Sequence, residues 1–234
     1  IDVSTSMLAE DLKPNRLEAA KDVAAEFING RPNDNIGITL FAGETFTQCP
    51  LTVDHAVLLD MIHNIKCGLI EDGTAVGMGV ANAVTRLKDS KAKSKVIILL
   101  TDGTNNKGDI SPLTAAEIAK SFGIRVYTIG VGTNGMAPYP YPVGNTVQYI
   151  NMPVEIDEKT LTQIAGTTDG NYFRATSNSK LKEVYEEIDK LEKTKLNVKE
   201  YSKREEDYRW FALAAFLCVL LEVLLRNSIL KKIP

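Results

Sequence analysis

The strongest constraint on the fold is a regular alternation between short apolar runs and segments of helical period. Residues 36–41, 96–100 and 126–129 are apolar runs of strand length. The segments between them repeat apolar residues every three or four positions, as a helix that buries one face does. Strands that are apolar throughout and alternate with helices indicate a parallel sheet covered on both sides. The sequence therefore predicts a doubly wound α/β domain with a mostly parallel sheet flanked by helices.

The same patterns predict the positions of the individual elements. Helices are predicted at residues 14–29, 57–65, 76–88, 113–122, 160–165 and 181–191. Strands are predicted at 36–41, 45–48, 96–100, 126–129 and 172–173, with a small hairpin at 147–150 and 154–156. The Pro-Tyr repeat at 138–142 is interpreted as a stiff connector into that hairpin, because closely spaced prolines favour extended backbone.

Oxygen-bearing side chains stand where two of the predicted strands end. Asp2, Ser4 and Ser6 form a D-x-S-x-S motif at the start of the chain. Asp102 lies in a T-D-G motif after an apolar strand, and Thr74 lies in a loop before a helix. In sheets of this kind, ligands bind beyond the carboxyl ends of the strands, where the strand order reverses. We therefore expect Asp2 and Asp102 to converge on one site.

Two carboxylates and three hydroxyls form an all-oxygen ligand set. Such a set suits a hard cation that keeps some of its waters, which means Mg²⁺ first and Mn²⁺ or Ca²⁺ after it. The alternative is that Asp2, Ser4 and Ser6 cap the first helix, a frequent role for these residue types. Capping explains neither Thr74 nor Asp102, so we favour the metal site.

These motifs, in this order, resemble the metal-ion-dependent adhesion site of von Willebrand factor A domains. All five ligand positions of that site are filled here. They are Asp2, Ser4, Ser6, Thr74 and Asp102. The resemblance implies a divalent cation with one position open for the carboxylate of a protein partner, and no catalytic residues.

An apolar segment near the carboxyl end indicates that the protein is located in a membrane. Residues 210–225 are sixteen residues with a single charge, Glu222. Aromatic residues precede the run and basic residues follow it, as the interface anchors of a membrane span do. The run is short for a span, and a buried core helix is the alternative. We predict a transmembrane helix at 209–227, because Glu222 can pair with Arg226 near the interface.

Further segments resemble the bacterial aerotolerance (Bat) proteins, above all the BatA type. They are residues 41–52, 72–74 and 138–140. The patterns described above predict an A domain at 1–192, a charged linker at 193–208, the transmembrane helix and a basic tail at 228–234. We expect the first strand of the A domain to be truncated, because the D-x-S-x-S motif belongs at the carboxyl end of a strand and starts at Asp2. The resemblance to the Bat proteins covers nearly the whole chain. It implies further membrane helices ahead of the domain, an inner-membrane location, a periplasmic A domain and other Bat-type membrane proteins as partners. We accordingly expect the chain to be a piece of a longer protein.

Two classes of function remain at this stage. One is a membrane-anchored module that binds an acidic residue of a protein partner through the cation. The other is a metal-dependent hydrolase, or a chelatase-like subunit that works with an ATPase. We expect no enzyme activity, because no His, Lys or Cys is placed as a general base. The net charge of −3 gives no basic field, so nucleic acid is not an expected partner.

Two other patterns point elsewhere and are not favoured. The G-x-G-x-x-G at 130–135 is a dinucleotide fingerprint only when a helix follows it, and a proline-rich stretch follows instead. The three cysteines contain no C-x-x-C pair. We interpret them as small buried hydrophobes, with a Cys49–Cys67 disulfide left open.

Overall fold

The computed structural model describes residues 1–133, 135–143 and 146–201, together with Leu213, Ala215, Phe216, Val219 and Glu222. The chain divides into two compact units, Ile1–Leu191 and Glu192–Pro234. The first unit contains the sheet and the helices that pack on it.

The strands of the first unit form a mostly parallel sheet and a separate two-stranded antiparallel hairpin. The strands are β1 (Ile36–Phe41), β2 (Thr45–Thr52), β3 (Lys95–Thr101), β4 (Ile124–Val131), β5 (Gly135–Val143), β6 (Thr146–Val154) and β7 (Tyr172–Ala175). Strand β4 pairs in parallel with both β3 and β7, whereas β1 and β2 are antiparallel.

The first three residues join these two groups of strands. Val3 N donates to Phe41 O at 2.9 Å, and Asp2 N donates to Leu100 O at 3.0 Å. The segment 1–3 therefore lies between β1 and β3, and the order across the sheet is β2, β1, segment 1–3, β3, β4, β7. The strand order reverses between segment 1–3 and β3, which is the place where ligands bind in sheets of this type.

Four of the helices begin after a residue whose side chain accepts a hydrogen bond from a free N–H of the first turn; these residues are Asn15, Asp54, Ser111 and Asp157. The helices are α1 (Arg16–Asn29), α2 (His55–His63), α3 (Val76–Leu87), α4 (Pro112–Ser121), α5 (Glu158–Thr167) and α6 (Asn178–Tyr201), after a short 3₁₀ helix η1 (Thr5–Leu8). Helix α1 starts two residues later than predicted, because the side chain of Asn15 accepts from Glu18 N and so caps the helix there.

Helices cover both faces of the sheet, as the prediction of a doubly wound fold requires. On one face α1, α2 and α6 bury Leu17, Leu58 and Ile188 against Leu100 and Ile129. On the other face α3, α4 and α5 bury their apolar residues against Ile97, Leu99 and Val126. Neighbouring residues of β3 thus face opposite clusters, which is why that strand is apolar throughout.

The hairpin lies at a different place from the one predicted. Strands β5 and β6 pair antiparallel, so the Pro-Tyr repeat is itself a strand. The strand predicted at 147–150 lies within β6, but residues 155–156 are not in a strand, so the predicted pairing of 147–150 with 154–156 was wrong. Pro138, Pro140 and Pro142 are two residues apart, so their backbone nitrogens lie on the same side of the strand. All three nitrogens, which carry no hydrogen to donate, can therefore point away from β6. The carbonyl of Pro138 points outward and accepts from Glu10 N at 2.8 Å, which agrees with this arrangement.

The carboxyl-terminal predictions fall largely outside the described residues. Helix α6 runs to Tyr201, past the predicted domain end at 192. Most of the predicted transmembrane helix at 209–227, part of the linker at 193–208 and the tail at 228–234 lie outside the described part of the chain. Among the residues that the structure describes, no helix combines the length and the apolar character needed to cross a bilayer.

Candidate metal centre

The predicted site residues come together where the strand order reverses. Asp2 belongs to segment 1–3, Ser4 and Ser6 lie around the start of η1, and Asp102 follows β3. Thr74 precedes α3. These side chains are buried except for that of Ser6, which is exposed and marks the mouth of the site.

Hydrogen bonds from two motifs hold the carboxylate of Asp2. Its Oδ2 accepts from Thr101 Oγ1 at 2.6 Å, and its Oδ1 accepts from Ser4 N at 2.9 Å. The residue has no exposed surface. The carboxylate is therefore fixed in position by its own motif and by the T-D-G motif ninety-nine residues away.

A chain of hydroxyls links the first motif to Asp102. Ser4 Oγ and Ser6 Oγ are 2.9 Å apart, and Ser6 Oγ donates to Asp102 Oδ1 at 2.7 Å. The helix-capping alternative is wrong, because Ser4 makes no side-chain cap to η1 and α1 is capped by Asn15.

Thr74 is placed beside the T-D-G turn by its own backbone. Thr74 N donates to Asn106 Oδ1 at 2.9 Å, and Asn106 N donates to Thr74 O at 3.0 Å. A Cβ on Gly103 would lie only 3.3 Å from Thr74 Oγ1, so the glycine allows this close approach. Asn106 was not singled out from the sequence, although it follows the T-D-G motif by only a few residues.

Burial and mutual repulsion both disfavour the charged forms of Asp2 and Asp102. Burial, followed by repulsion from Asp102, raises the pKa of Asp2 to about 7. Burial also raises the pKa of Asp102, with Arg16 acting in the opposite direction. A cation between two buried carboxylates would relieve this repulsion.

The chemistry of the donors fits a hard divalent cation. The described residues contain no group of three or more His, Cys, Asp or Glu side chains that could hold a metal ion. A site here would therefore depend on three hydroxyls beside the two carboxylates, and an all-oxygen set of this kind suits Mg²⁺. The residues thus fit the ion that the sequence predicts.

A buried arginine lies next to the site and was missed from the sequence. Arg16, the first residue of α1, donates to Asp102 Oδ2 at 2.6 Å and to both oxygens of Asp11 at 2.7 Å. These partners are five and eighty-six residues away in the chain. No helical or strand period brings them together, so no local pattern could have revealed the contact.

A second acidic residue ties two of the loops at the mouth to each other. Asp72 accepts from Thr5 N at 3.0 Å and from Thr5 Oγ1 at 2.7 Å. Although partial burial opposes it, these hydrogen bonds lower the pKa of Asp72. Asp72 thus links the segment before Thr74 to the first turn of η1.

Cys67 lies beside the first motif but is a poor metal ligand. Its Sγ donates to Ser4 O at 3.4 Å. Burial, with the negative charges of Asp2 and Asp102, raises the pKa of the thiol to about 12. Cys49 and Cys67 are both free, so the disulfide left open from the sequence does not form, and Cys67 is only half-buried. Cys218 lies outside the described residues.

The chain matches several proteins of known sequence. Residues 1–187 match the von Willebrand factor type A domain. An uncharacterised protein of Borreliella burgdorferi is 27% identical over the whole chain, which spans 69% of that relative. A UPF0353 protein of Mycolicibacterium paratuberculosis is 31% identical over 79% of the chain, which spans only 56% of that relative.

Solved structures extend the comparison. The BatB protein of Bacteroides thetaiotaomicron is 34% identical, with a TM-score of 0.71 over 82% of this chain and 96% of that one. An aerotolerance-related membrane protein of Bacteroides fragilis is also 34% identical, with a TM-score of 0.69 over 81% and 96%. A mussel byssus protein with a zinc-occupied metal-ion-dependent adhesion site is 25% identical, with a TM-score of 0.62 over 81% and 43%.

The strand order, the site at its reversal and these matches agree with one another. The narrower assignment to the BatA type stays a prediction. The chain belongs to the von Willebrand factor type A domain family, and within it to the Bat type of aerotolerance-related proteins.

Proposed function

We propose that this chain is a membrane-anchored, metal-dependent protein-interaction module that binds an acidic residue of a partner protein through a divalent cation. The observation that carries the proposal is the convergence of two buried carboxylates with hydroxyl groups at the reversal of strand order. Asp2, Ser4, Ser6, Thr74 and Asp102 are the proposed ligands. The zinc-occupied site of the mussel relative supports a divalent ion, and the oxygen donors favour Mg²⁺ over Mn²⁺ or Ca²⁺.

The charge of the site suits an acidic partner. Bound here, the cation would supply an electrophilic position that attracts a carboxylate. Asp102 already accepts a hydrogen bond from Arg16, and Asp2 accepts one from Thr101. Part of each carboxylate is therefore committed to the protein, which leaves the ion electron-poor and receptive to an external Glu or Asp.

The surface beside the site favours a protein partner over a small molecule. Strands β5 and β6 expose Tyr141, Val147, Tyr149 and Met152. Tyr149 Oη donates to Glu10 Oε1 at 2.9 Å, so the hairpin is attached to the segment that follows η1. The register of the hairpin places Val147 and Tyr149 on one face and Tyr141 and Met152 on the other. Each face therefore exposes apolar side chains, which are typical of protein interaction surfaces.

A hydrolase or chelatase-like function is the less favoured alternative. A phosphatase on a similar sheet would need a nucleophilic Asp with a second carboxylate two residues later, and the position two residues after Asp2 is Ser4. The thiol of Cys67 stays protonated, because its pKa is raised to about 12, first by burial. The imidazoles of His55 and His63 bond to backbone carbonyls of Asp34 and Leu59. The candidates for nucleophile or base are therefore either uncharged or engaged elsewhere.

The proposed location is the bacterial inner membrane, with the A domain in the periplasm and a span at 209–227. The description of the Bacteroides fragilis relative as an aerotolerance-related membrane protein supports the membrane location. Other Bat-type membrane proteins are the first partners to examine.

Affinity capture from detergent extracts of bacterial membranes tests the proposal. The immobilised chain should retain a partner in MgCl₂ and release it in EDTA, and Asp102→Ala should retain none. Ser179→Ala is the matched control, because Ser179 is exposed and distant in sequence from the motifs. Retention that is equal in MgCl₂ and in EDTA would contradict the proposal.

A further inference from the structure

Arg16 makes three charge-assisted contacts in the interior of the domain. Its Nε and Nη2 each lie 2.7 Å from an oxygen of Asp11, and its Nη1 lies 2.6 Å from Asp102 Oδ2. The side chains of all three residues are at most 4% exposed. A buried arginine next to a cation site is unexpected, because its charge repels the cation.

The guanidinium cannot easily leave this position. Both carboxylate oxygens of Asp11 accept hydrogen bonds from the guanidinium. Asp11 in turn accepts from Thr133 N at 2.8 Å and from Thr133 Oγ1 at 3.1 Å. A Cβ on Gly132 would lie 2.8 Å from Arg16 Nη2, so the glycine makes room for the guanidinium. Bidentate contact of this kind fixes orientation as well as charge.

The contact limits what Asp102 can offer to a cation. Its Oδ2 faces Arg16, and its Oδ1 accepts from Ser6 Oγ at 2.7 Å. The carboxylate therefore has one oxygen turned towards the motif and cannot bind an ion with both. Ca²⁺ often takes carboxylates with both oxygens, whereas Mg²⁺ binds through single oxygens and keeps its waters.

We propose that Arg16 is a positioning residue that acts through Asp102 to set which cation the site accepts. By holding Asp102 Oδ2, it excludes bidentate coordination, disfavours Ca²⁺ relative to Mg²⁺ and keeps water on the ion where a partner carboxylate can replace it. This inference rests on the proposed function, since it concerns the same site.

Calorimetric titration of the purified chain with MgCl₂, MnCl₂ and CaCl₂ tests this role. In Arg16→Gln, Asp102 Oδ2 is free and a positive charge is lost, so affinity for Ca²⁺ should rise about tenfold and more than affinity for Mg²⁺. A merely structural role would lower the affinities for all three ions together. Arg16→Lys keeps the charge but cannot span both carboxylates, so the Ca²⁺ to Mg²⁺ affinity ratio should rise by about threefold.

A second measurement reports the waters on the ion. Water-proton relaxation by bound Mn²⁺ should decrease in Arg16→Gln, because the second oxygen of Asp102 displaces a water. Thermal melts in EDTA show which variants fold. If Arg16→Gln does not fold, the Ca²⁺ to Mg²⁺ affinity ratio of Arg16→Lys tests the role of Arg16. An unchanged Ca²⁺ to Mg²⁺ ratio in a folded variant overturns the role of Arg16. A wild-type chain that binds none of the three ions overturns the proposed function itself.

Discussion

Ser6 donates a hydrogen bond of 2.7 Å to Asp102, and this contact joins the first motif of the chain to the end of β3. Ser6 is exposed whereas Asp102 is buried, so the bond runs from the surface to the interior of the site. The serine thus orients the carboxylate and also offers its own oxygen at the mouth.

We expect Ser6→Ala to weaken Mg²⁺ binding by about tenfold while it changes the free energy of unfolding by about 1 kcal/mol or less, because a single hydrogen bond at a partly exposed site contributes little to stability. Calorimetric titration and urea unfolding measure the two effects. Ser179→Ala should change neither. A loss of stability that accounts for the whole loss of binding would contradict the role given to Ser6.

The repulsion between the two carboxylates predicts a pH dependence. The pKa of Asp2 rises from 3.8 to about 7 on folding, first through burial and then through Asp102. Between these values the folded state holds a proton that the unfolded state has released. The stabilising contribution is therefore complete below pH 3.8 and is lost as the pH rises to about 7.

We expect the wild-type chain in EDTA to lose more stability than Asp2→Asn between about pH 4 and 7 in urea titrations. The comparison cancels the carboxylates that do not interact with Asp2, such as Asp11, whose pKa is lowered by Arg16 and Thr133 although burial opposes it. Excess MgCl₂ should reverse the trend for the wild-type chain alone, since the cation competes with that proton. Parallel pH profiles for the two proteins would show that the pKa of Asp2 is not raised.

Asn106 gives a test of how Thr74 is positioned. Its side chain accepts from Thr74 N, and its backbone donates to Thr74 O. Asn106→Ala should lower Mg²⁺ affinity several-fold and stability by about 1 kcal/mol. Asn105→Ala is the neighbouring control, because Asn105 Oδ1 accepts a long hydrogen bond of 3.4 Å from Gly77 N and, within the described part of the chain, makes no hydrogen bond with Thr74. Equal effects of the two substitutions would mean that the reciprocal bonds do not hold the loop.

How far the sequence predicts this protein depends on whether the information is local. Strand β1 was predicted at its observed bounds, and β3 to within one residue at each end. Strand β3 packs on both faces, so its apolar run is continuous, whereas β1 contains the exposed Gly37 and the partly buried Thr39. The strand β5 was missed because three prolines argue against a strand, and only the tertiary contact of Pro138 with Glu10 shows how they are accommodated.

In the site, too, the residues with a local sequence signal were predicted and the residue placed by tertiary contacts was not. Asp2, Ser4 and Ser6 form a compact motif and could be found by spacing, and Asp102 follows an obvious strand. The role of Arg16 could not be predicted. Its position at the start of a helix gives no indication that two carboxylates from other parts of the chain contact it. The convergence of the proposed ligands was thus predictable, whereas the contact of Arg16 with Asp102 was not.

The absence of catalysis is a further expectation. In the presence of MgCl₂ or MnCl₂, the purified chain should not hydrolyse a phosphate ester such as p-nitrophenyl phosphate, because the site offers no nucleophile and no placed base. Spectrophotometric release of nitrophenol is the measurement. Turnover that survives purification and disappears in Asp102→Ala would replace the interaction module with a hydrolase.

The start of α3 supplies a prediction in which packing and helix propensity oppose each other. Gly77 lies in the first turn of α3, directly after the loop that carries Thr74. Alanine is favoured over glycine within a helix by about 1 kcal/mol. A Cβ at position 77, however, would overlap the carbonyl oxygen of Ile110 and lie 2.8 Å from the carbonyl carbon of Ser111. These are backbone atoms, which cannot move aside as a flexible side chain could.

We therefore expect Gly77→Ala to destabilise the domain by about 2 kcal/mol or more, because the overlap outweighs the gain in propensity. Gly166→Ala in α5 is the matched control, since its Cβ would meet nothing within 4 Å and should stabilise by about 0.5–1 kcal/mol. Urea unfolding measures both changes. Because α3 would shift with Thr74 at its start, Gly77→Ala should also weaken Mg²⁺ binding, whereas Gly166→Ala should not. A stabilising Gly77→Ala would mean that α3 does not pack as closely on Ile110 as the structure has it.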